Sequence, residues 1–265
     1  RVMLARAATG RCASAAVSAI SPKRKPPCPS PSTALPTPED PPVTPEADEY
    51  QLIASGARSL GVDLSAAAGA ALLRLVDELE AGNAQFNLTA IRDRLGMLRK
   101  HVLDSLTLQP YLRGGRIADI GTGAGFPGLP LAIVNPQRRF TLVEATGKKA
   151  RFVEQTVLRL GCANVQVAHA RAESYRPFEL FDTVVARALS SLKDFAAYAG
   201  HLCAPDGRLL AMKGKRPDEE ISALPKSFRV LAVHRLRVPG LDEERHLVEL
   251  CPIRSGAARP RSSKS

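Results

Sequence analysis

A glycine-rich stretch near the middle of the chain reads Asp119-Ile-Gly-Thr-Gly-Ala-Gly-Phe-Pro-Gly128. It follows a short apolar run and precedes a segment with helical spacing. Glycines at positions 121, 123 and 125 allow a tight turn and a close approach of the backbone to a ligand. The stretch therefore predicts a binding loop between a β-strand and a helix.

Two kinds of cofactor use such a loop. Dinucleotide enzymes place a pyrophosphate at the helix N-terminus, whereas methyltransferases place the methionine end of S-adenosylmethionine there, with an acid before the first glycine. Asp119 precedes Gly121, and the dinucleotide spacing G-x-G-x-x-G is not met. Glu144, at the end of the next apolar run, can accept hydrogen bonds from both ribose hydroxyls, or it can pair with Lys148 or Lys149. The loop and the acid together predict an adenosine-containing cofactor.

The pattern around this loop predicts an α/β fold. From residue 116, short apolar runs alternate with helical stretches, as in a Rossmann-like parallel sheet with right-handed crossovers. The last two runs are separated only by a loop, which predicts a closing hairpin. The predicted strands are Ile117–Ile120, Phe140–Val143, Val165–Ala168, Thr183–Ala186, Leu209–Met212, Val230–Leu236 and His246–Leu250.

Residues 46–113 show helical spacing and predict an N-terminal helical cap on the sheet domain of residues 114–253. Ser65 is expected to cap the second helix, and Gly82-Asn83 to end it. A third helix is expected from Asp93 to Leu112. Its inward-facing residues are predicted to be Leu95, Leu98, Val102, Leu106 and Leu108.

The two ends of the chain carry most of its charge. The net charge is +11, of which residues 1–45 and residues 254–265 each contribute +4. Such basic tails bind nucleic acid weakly and without selectivity. Residues 1–45 are rich in Ala, Ser, Pro and Arg and predict a disordered tail, and residues 254–265 predict a frayed basic one.

The N-terminal extension opens with Arg1 rather than methionine. We expect it to be dispensable or to reflect a misassigned start, with an organelle transit peptide as the alternative. No apolar run is long enough to cross a membrane, so the sequence predicts a cytoplasmic protein, and we expect a monomer. The five cysteines form no CxxC pair, so we expect neither a metal site nor a disulfide framework.

Two further segments follow predicted strands. In folds of this class, the loop at the position of Ala170-Arg-Ala-Glu173 contacts the adenine ring. An acid there can accept hydrogen bonds from the adenine amino group, and a small residue lets its backbone N–H reach a ring nitrogen. A solvated loop is the equal alternative. Arg187, after the fourth strand, either pairs with Asp119 or Glu173 to order the loops or fixes cofactor and substrate in line.

The segment around Arg187 also bears on the target atom. It lacks the Asn/Asp-Pro-Pro-aromatic sequence of amino-group methyltransferases and the Pro-Cys nucleophile of pyrimidine-carbon methyltransferases. A ring nitrogen with a free lone pair, such as guanine N7, needs neither group. Catalysis is then mainly positioning, and no general base is predicted.

Together these segments resemble the bacterial 16S ribosomal RNA guanine-N7 methyltransferase family. The resemblance covers residues 50–252 in order and implies a class I methyltransferase fold with S-adenosylmethionine as cofactor and ribosomal RNA or the small subunit as partner. Two positions depart from the family pattern: Phe126 stands where leucine is common, and Lys100 stands inside the Arg-His pairing that is usual in the family. The resemblance rests on Phe86-Asn-Leu-Thr89, Arg99-Lys-His-Val-Leu-Asp-Ser105, Asp119–Pro130, Glu144-Ala-Thr-Gly-Lys-Lys149, Arg171-Ala-Glu173, Arg187-Ala-Leu-Ser190 and Met212-Lys-Gly214.

The predicted site therefore has two parts, and three alternative functions remain. Basic residues near the cleft are expected to hold RNA phosphates, and for each of them an ordinary solvated charge is the alternative. The main candidates are Arg99, Lys213 and Lys215. Further candidates are Arg92, Arg94, Lys100, Lys148, Lys149 and Arg216. A nicotinamide-dependent oxidoreductase, a noncatalytic RNA-binding module and a methyltransferase of another RNA or a small molecule are the alternatives. The predicted cofactor contacts, from residues and resemblance combined, are Gly121, Gly123, Phe126, Glu144, Ala172, Glu173 and Arg187.

Overall fold

The computed structural model of the chain describes residues 45–188 and 190–253. These residues all fall within one compact unit. A disordered tail was predicted for residues 1–45 and a basic tail for residues 254–265; these lie outside the described part except for Pro45, which begins the first helix.

Seven strands form one mixed sheet in the order β3-β2-β1-β4-β5-β7-β6. Strands β1 to β5 are parallel, and β7 lies antiparallel between β5 and β6. All seven predicted strands and the closing hairpin are confirmed. The strands are β1 (Arg116–Ile120), β2 (Arg139–Glu144), β3 (Val165–His169), β4 (Phe181–Ala186), β5 (Cys203–Lys213), β6 (Phe228–Leu236) and β7 (Arg245–Pro252).

Helices cover the sheet and precede it. The segment after α3 continues as a π-helical turn (Leu98–Leu103), and short 3₁₀ turns follow at Gln109–Tyr111 and Gly200–Leu202. The helices are α1 (Pro45–Ser59), α2 (Ala66–Phe86), α3 (Arg94–Met97), α4 (Asp104–Leu106), α5 (Gly128–Val134), α6 (Gly147–Leu160), α7 (Leu192–Ala199) and α8 (Asp218–Ser222).

The end of α2 differs from the prediction. Ser65 caps the helix as expected, because its side chain accepts a hydrogen bond from the Ala68 N–H. The predicted stop at Gly82-Asn83 is wrong, since the helix continues to Phe86 and ends at Asn87 in a left-handed conformation. Gly82 lies directly against the Phe152 ring of α6, so tertiary packing retains a glycine inside the helix.

The third helix is shorter and less regular than predicted. One of its expected inward residues, Leu95, is 44% exposed, whereas the other four are buried. Its neighbour Arg94 is turned toward α1 and α2, where it pairs with Glu49, Asp77 and Glu80. Successive residues of a helix are about 100° apart around its axis, so Leu95 is directed away from those helices.

The helical segment and the sheet share one hydrophobic core. A single cluster joins Leu72 and Leu98 of the helical segment with Phe126, Leu129 and Phe152 beside the sheet. This packing holds residues 98–106 next to the glycine-rich loop. The division between a cap at 46–113 and a sheet domain at 114–253 stays a proposal from the sequence.

Candidate cofactor and substrate site

The glycine-rich loop closes over a buried acid. Gly121 and Gly123 have φ values of 67° and 63°, a region that favours glycine. Asp119, fully buried beneath them, accepts hydrogen bonds at Oδ2 from Thr122 Oγ1 (2.6 Å) and the Gly128 N–H (2.8 Å). Within the described part of the chain, its Oδ1 has no hydrogen-bond partner. Burial raises the pKa of Asp119 to about 6.

Glu144 links the glycine-rich loop to the loop after β2. Its carboxylate accepts hydrogen bonds from the Gly123 N–H (2.9 Å) and the Thr146 N–H (2.8 Å). These backbone contacts, rather than the alternative pairing with Lys148 or Lys149, orient the side chain. A carboxylate has about four acceptor positions, so Glu144 retains acceptor capacity for a ligand hydroxyl.

A first cleft of about 260 Å³ lies at the carboxyl end of the parallel strands. Gly121, Ala172, Glu173 and Arg187 line it together, although they come from three different loops. Gly123 and Glu144 do not line the cleft themselves; they are bonded to each other, and Glu144 stands between the lining residues Val143 and Ala145. Phe126 is placed differently: its side chain is buried and stacks on His101, with 4.9 Å between ring centroids.

The chemistry of this cleft suits a cofactor with a cationic amino-acid end, a ribose and an adenine. The unpaired Asp119 oxygen is a buried acceptor for a cation, and burying such a group without a partner is unfavourable. Glu144 offers acceptors for ribose hydroxyls, and Ala172 and Glu173 stand where the adenine is expected. The residues present therefore fit S-adenosylmethionine.

Arg187 is the centre of a cluster that joins the sheet to the helical segment. Its guanidinium donates to the Lys100 carbonyl (3.1 Å), to Asp104 Oδ2 (3.4 Å) and to His101 Nδ1 (3.2 Å). It also lies 5.7 Å from the centroid of the Phe126 ring. The carboxylate partner is thus Asp104 rather than Asp119 or Glu173, the two pairings that the sequence suggested.

His101 is held as a neutral imidazole. Its Nδ1 accepts the bond from Arg187, so its Nε2 carries the proton and donates to Thr89 Oγ1 at 2.8 Å. Burial and the nearby Arg187 charge lower the pKa of His101 to about 3. The ring therefore orients Arg187 without adding a second charge.

Asp104 connects two arginines that are far apart in the sequence. Its side chain is 4% exposed and accepts hydrogen bonds from Arg187 and from Arg245 Nε of β7 (3.2 Å). Burial raises the pKa of Asp104, and the two guanidinium groups oppose that rise. A single carboxylate thus fixes both side chains.

A second cleft of about 440 Å³ adjoins the first. The two clefts share Arg187 and Ala188. Its other lining residues come from the helical segment and from the ends of β5 and β7: Ile91, Lys100, His101, Asp104, Met212, Lys213, Gly214 and Arg245. Two ligands in these clefts would meet at one shared wall, which is the arrangement that group transfer requires.

The predicted RNA contacts are placed unequally. Lys213 is largely buried at the second cleft and pairs with Glu220 at 2.7 Å, whereas the neighbouring Lys215 is exposed. Arg99 is half-buried against Gly240. Among the further candidates, Arg94 is held between helices, Lys100 pairs with Glu243, and Arg216 pairs with Asp218. An RNA role for Arg99, Lys213 and Lys215 stays a prediction.

Four residues of the cluster were not singled out as functional from the sequence. Thr89, His101 and Asp104 lie in the two segments that carried the family resemblance, so a signal for them was present. Arg245 had no local signal, because it only follows an acidic loop and begins β7, the second strand of the closing hairpin. Its role becomes visible only through its contact with Asp104.

Two general features concern the described residues as a whole. They contain no cluster of three or more His, Cys, Asp or Glu side chains arranged to hold a metal ion. Their helices also include none that is long and apolar enough to cross a membrane.

Comparison with protein families and curated proteins gives a consistent result. A family model described as rRNA small subunit methyltransferase G matches residues 69–248. The chain is 47% identical over 205 residues to "Ribosomal RNA small subunit methyltransferase G" of Nitrosococcus oceani, covering 77% of this chain and 96% of that protein. It is 50% identical over 201 residues to the protein of the same name from Xanthomonas campestris pv. campestris, covering 76% and 94%.

Solved structures show the same fold at low sequence identity. A glycopeptide N-methyltransferase, MtfA, complexed with S-adenosyl-L-homocysteine aligns with a TM-score of 0.51 and 11% identity, over 57% of this chain and 87% of that chain. Its complex with S-adenosyl-L-methionine aligns with the same TM-score and 12% identity. The sheet is thus that of class I methyltransferases.

Proposed function

This chain belongs to the rRNA small subunit methyltransferase G family, and from its site we propose that it methylates guanine N7 in 16S ribosomal RNA of the small subunit. The family relationship makes it an S-adenosylmethionine-dependent methyltransferase of ribosomal RNA. The guanine and its N7 atom are the finer part of the proposal. They rest on the second cleft and on the groups that surround it.

The meeting of the two clefts at Arg187 and Ala188 is the observation that carries the proposal. The first cleft has the acids and the glycine-rich loop that suit the cofactor. The second combines apolar walls at Ile91 and Met212 with donors from Arg187 and Arg245. Such a pocket suits a planar base with acceptor atoms along one edge, and guanine presents O6 and N7 in this way.

Arg187 has the donors to orient that base. Three of its contacts fix the guanidinium, and a guanidinium carries five N–H donors, so donors remain for guanine O6. A base held through O6 keeps its N7 lone pair free. No proton has to leave N7, which agrees with a site in which His101 is neutral and serves to orient Arg187.

The charge of Arg187 is compensated where it would oppose catalysis. S-adenosylmethionine, when bound, supplies an electrophilic methyl group on a sulfonium cation. An uncompensated guanidinium beside the first cleft would repel this cation. Asp104 offsets that charge through its contact with Arg187, and Asp119 places a second carboxylate below the glycine-rich loop. Positioning and charge compensation are therefore the main work of the protein.

The test is methyl transfer to small-subunit RNA that lacks the modification. RNA and intact small subunits from a strain deleted for the corresponding gene would be incubated with labelled S-adenosylmethionine and the purified protein. We expect label in 16S RNA and chain cleavage at one guanine after borohydride and aniline treatment, which act at N7-methylguanine. Label on another atom of the RNA would contradict the N7 proposal, and a lack of label in both substrates would contradict the RNA proposal.

A matched pair of arginine variants links this activity to the site. Arg187→Ala removes the residue shared by the two clefts, whereas Arg229→Ala removes an exposed arginine on β6. We expect single-turnover methylation to fall severely in the first variant and to remain unchanged in the second. Wild-type turnover by a folded Arg187→Ala protein would remove Arg187 from the mechanism.

A further inference from the structure

A third cavity, of about 520 Å³, lies at the amino ends of the parallel strands, opposite the two clefts. It is formed where β1, β2, β3 and β4 begin and is covered by residues 175–181. Its lining shares no residue with either cleft of the catalytic site. The cavity is therefore separate from the catalytic site.

Positive charge exceeds negative charge around this cavity. Among its lining residues, Arg116 is neutralised by Glu179 at 2.8 Å and by the adjacent Asp182. Arg139 and Arg176 are exposed, and in the described part of the chain neither forms a salt bridge. Arg176 Nη1 is anchored to the Glu173 and Tyr175 carbonyls and to His201 Nε2, which leaves the other two nitrogens of its guanidinium for an external ligand. Two uncompensated guanidinium groups at a cavity mouth favour an anion.

Phe178 adds an aromatic surface to this charged rim. Its side chain is fully exposed, and it lies between Pro177 and Glu179 in the segment that covers the cavity. An isolated exposed phenylalanine beside arginines differs from the broad apolar patch of a typical protein interface. Aromatic side chains next to a positive groove are the combination that binds single-stranded nucleic acid, through base stacking and phosphate contacts.

We propose that this cavity is an accessory docking site for a single-stranded segment of the RNA substrate. A base stacks on Phe178, and phosphates on either side of it contact Arg139 and Arg176. The proposal rests on the proposed function, since it assumes that the substrate is RNA. It assigns part of the RNA affinity to a surface remote from the methylated guanine.

The topology gives an RNA strand a path between the two sites. A six-residue strand such as β2 spans about 20 Å, so the cavity lies about that far from the two clefts at the carboxyl ends of the strands. Strand β3 is the outer strand on this side of the sheet, and an RNA segment can pass around it. Residues 170–181 connect the two sites within the chain, since Ala172 and Glu173 line the first cleft and Phe178 lines the cavity.

The test compares variants of the cavity rim with matched variants elsewhere. Binding of unmodified naked 16S RNA is measured by filter retention at several salt concentrations for Phe178→Ala, Arg139→Gln and Arg176→Gln. Leu158→Ala, at an exposed residue of α6, and Arg229→Gln on β6 are the controls. We expect an affinity loss of about 5-fold or more for Phe178→Ala and a salt slope smaller by about 0.7 for each arginine variant.

Two readouts distinguish an RNA docking site from a catalytic surface and from a protein-binding surface. In the rim variants, KM for RNA should rise while kcat at saturating RNA stays at the wild-type value, because the catalytic clefts are untouched. Wild-type RNA affinity and salt slope in all three variants would overturn the proposal. A defect seen only with assembled subunits and not with naked RNA would also overturn it, because it would assign the surface to a ribosomal protein. Methylation by the wild-type protein, measured in parallel, tests the proposed function separately.

Discussion

Replacing Asp119 with asparagine should separate the stability of the fold from cofactor binding. Asp119 is completely buried, its Oδ2 accepts two hydrogen bonds, and its Oδ1 accepts none from the described residues. Desolvation raises its pKa from 3.8 to about 6. A difference of this size corresponds to about 3 kcal/mol between the protonated and ionised forms.

The sign of the effect follows from linkage. Because the folded state raises the pKa, it binds the proton more tightly than the unfolded state does. The stability that Asp119 contributes is therefore fully present below about pH 4 and is lost as the pH rises to about 6. Asparagine stays neutral, and its Oδ1 can accept both hydrogen bonds of the original Oδ2, while its Nδ2 takes the partnerless place of Oδ1 and offsets part of the gain. We expect the Asp119→Asn protein to be more stable than the wild type at pH 8, by up to about 3 kcal/mol.

Urea unfolding of both proteins between pH 4 and pH 8 measures this difference. Asp182→Asn is the matched control with the opposite sign, because backbone and Arg116 hydrogen bonds lower the pKa of Asp182 despite partial burial. The stability contributed by Asp182 is present above its unfolded pKa and is lost as the pH falls through its folded pKa, so this variant should lose stability near neutral pH.

Cofactor binding should change in the other direction. An unpaired carboxylate attracts the cationic end of S-adenosylmethionine, and asparagine does not, so calorimetry should show weaker binding by the Asp119→Asn variant. Wild-type affinity should rise between pH 5 and pH 7, with proton release on binding. Lower stability of the variant at pH 8, or wild-type cofactor affinity in the variant, would refute this reasoning.

Four further predictions concern the site and its surroundings. Arg187→Ala should stay folded with a lower Tm, because Asp104, His101 and the Lys100 carbonyl lose a buried donor, and it should lower single-turnover methylation by about 100-fold or more. Arg187→Lys should not restore the rate, because an ammonium cannot reproduce the guanidinium contacts. His101 has a pKa of about 3, so the rate on bound substrate should show no ionisation from His101 between pH 5 and pH 8. Gly121→Val should fold, because a Cβ at this position meets no atom within 4 Å. It should lose cofactor binding, measured by calorimetry, because φ is +67° and a β-branched side chain resists that conformation. Arg94→Ala should lower the free energy of unfolding by about 1–3 kcal/mol, through loss of contacts to Glu49, Asp77 and Glu80, and should leave the salt dependence of RNA binding unchanged.

Local patterns were sufficient for the strands and the binding loop. The runs at Ile117–Ile120 and Phe140–Val143 are largely apolar because both faces of a parallel sheet are covered, and this burial leaves a direct trace in the sequence. The glycine-rich loop was equally visible, since positive φ at Gly121 restricts the residue type that can stand there. Periodicity and backbone conformation are properties of neighbouring residues, so they can be predicted without the tertiary structure.

The partners of charged residues, and of a glycine that was expected to end a helix, depended on the tertiary structure. Gly82 looked like a helix end, but the Phe152 ring packs against it and the helix continues. Arg94 was a candidate RNA contact from its charge alone, and only the structure shows that three acids of two other helices surround it. In both cases the deciding contact comes from a residue distant in the sequence, which no local pattern reports.

The cluster around Arg187 shows the same limit most clearly. The sequence predicted that Arg187 stands at the carboxyl end of the sheet, because it follows the apolar strand β4. Only the fold brings it to His101 and Asp104 and adds Arg245 from the last strand. The energy of a buried ion pair depends on distance and on exclusion of water, and both are set by how the helical segment packs on the sheet. The sequence by itself therefore determined the glycine-rich loop and the strand pattern, whereas tertiary packing decided which charges meet at the second cleft.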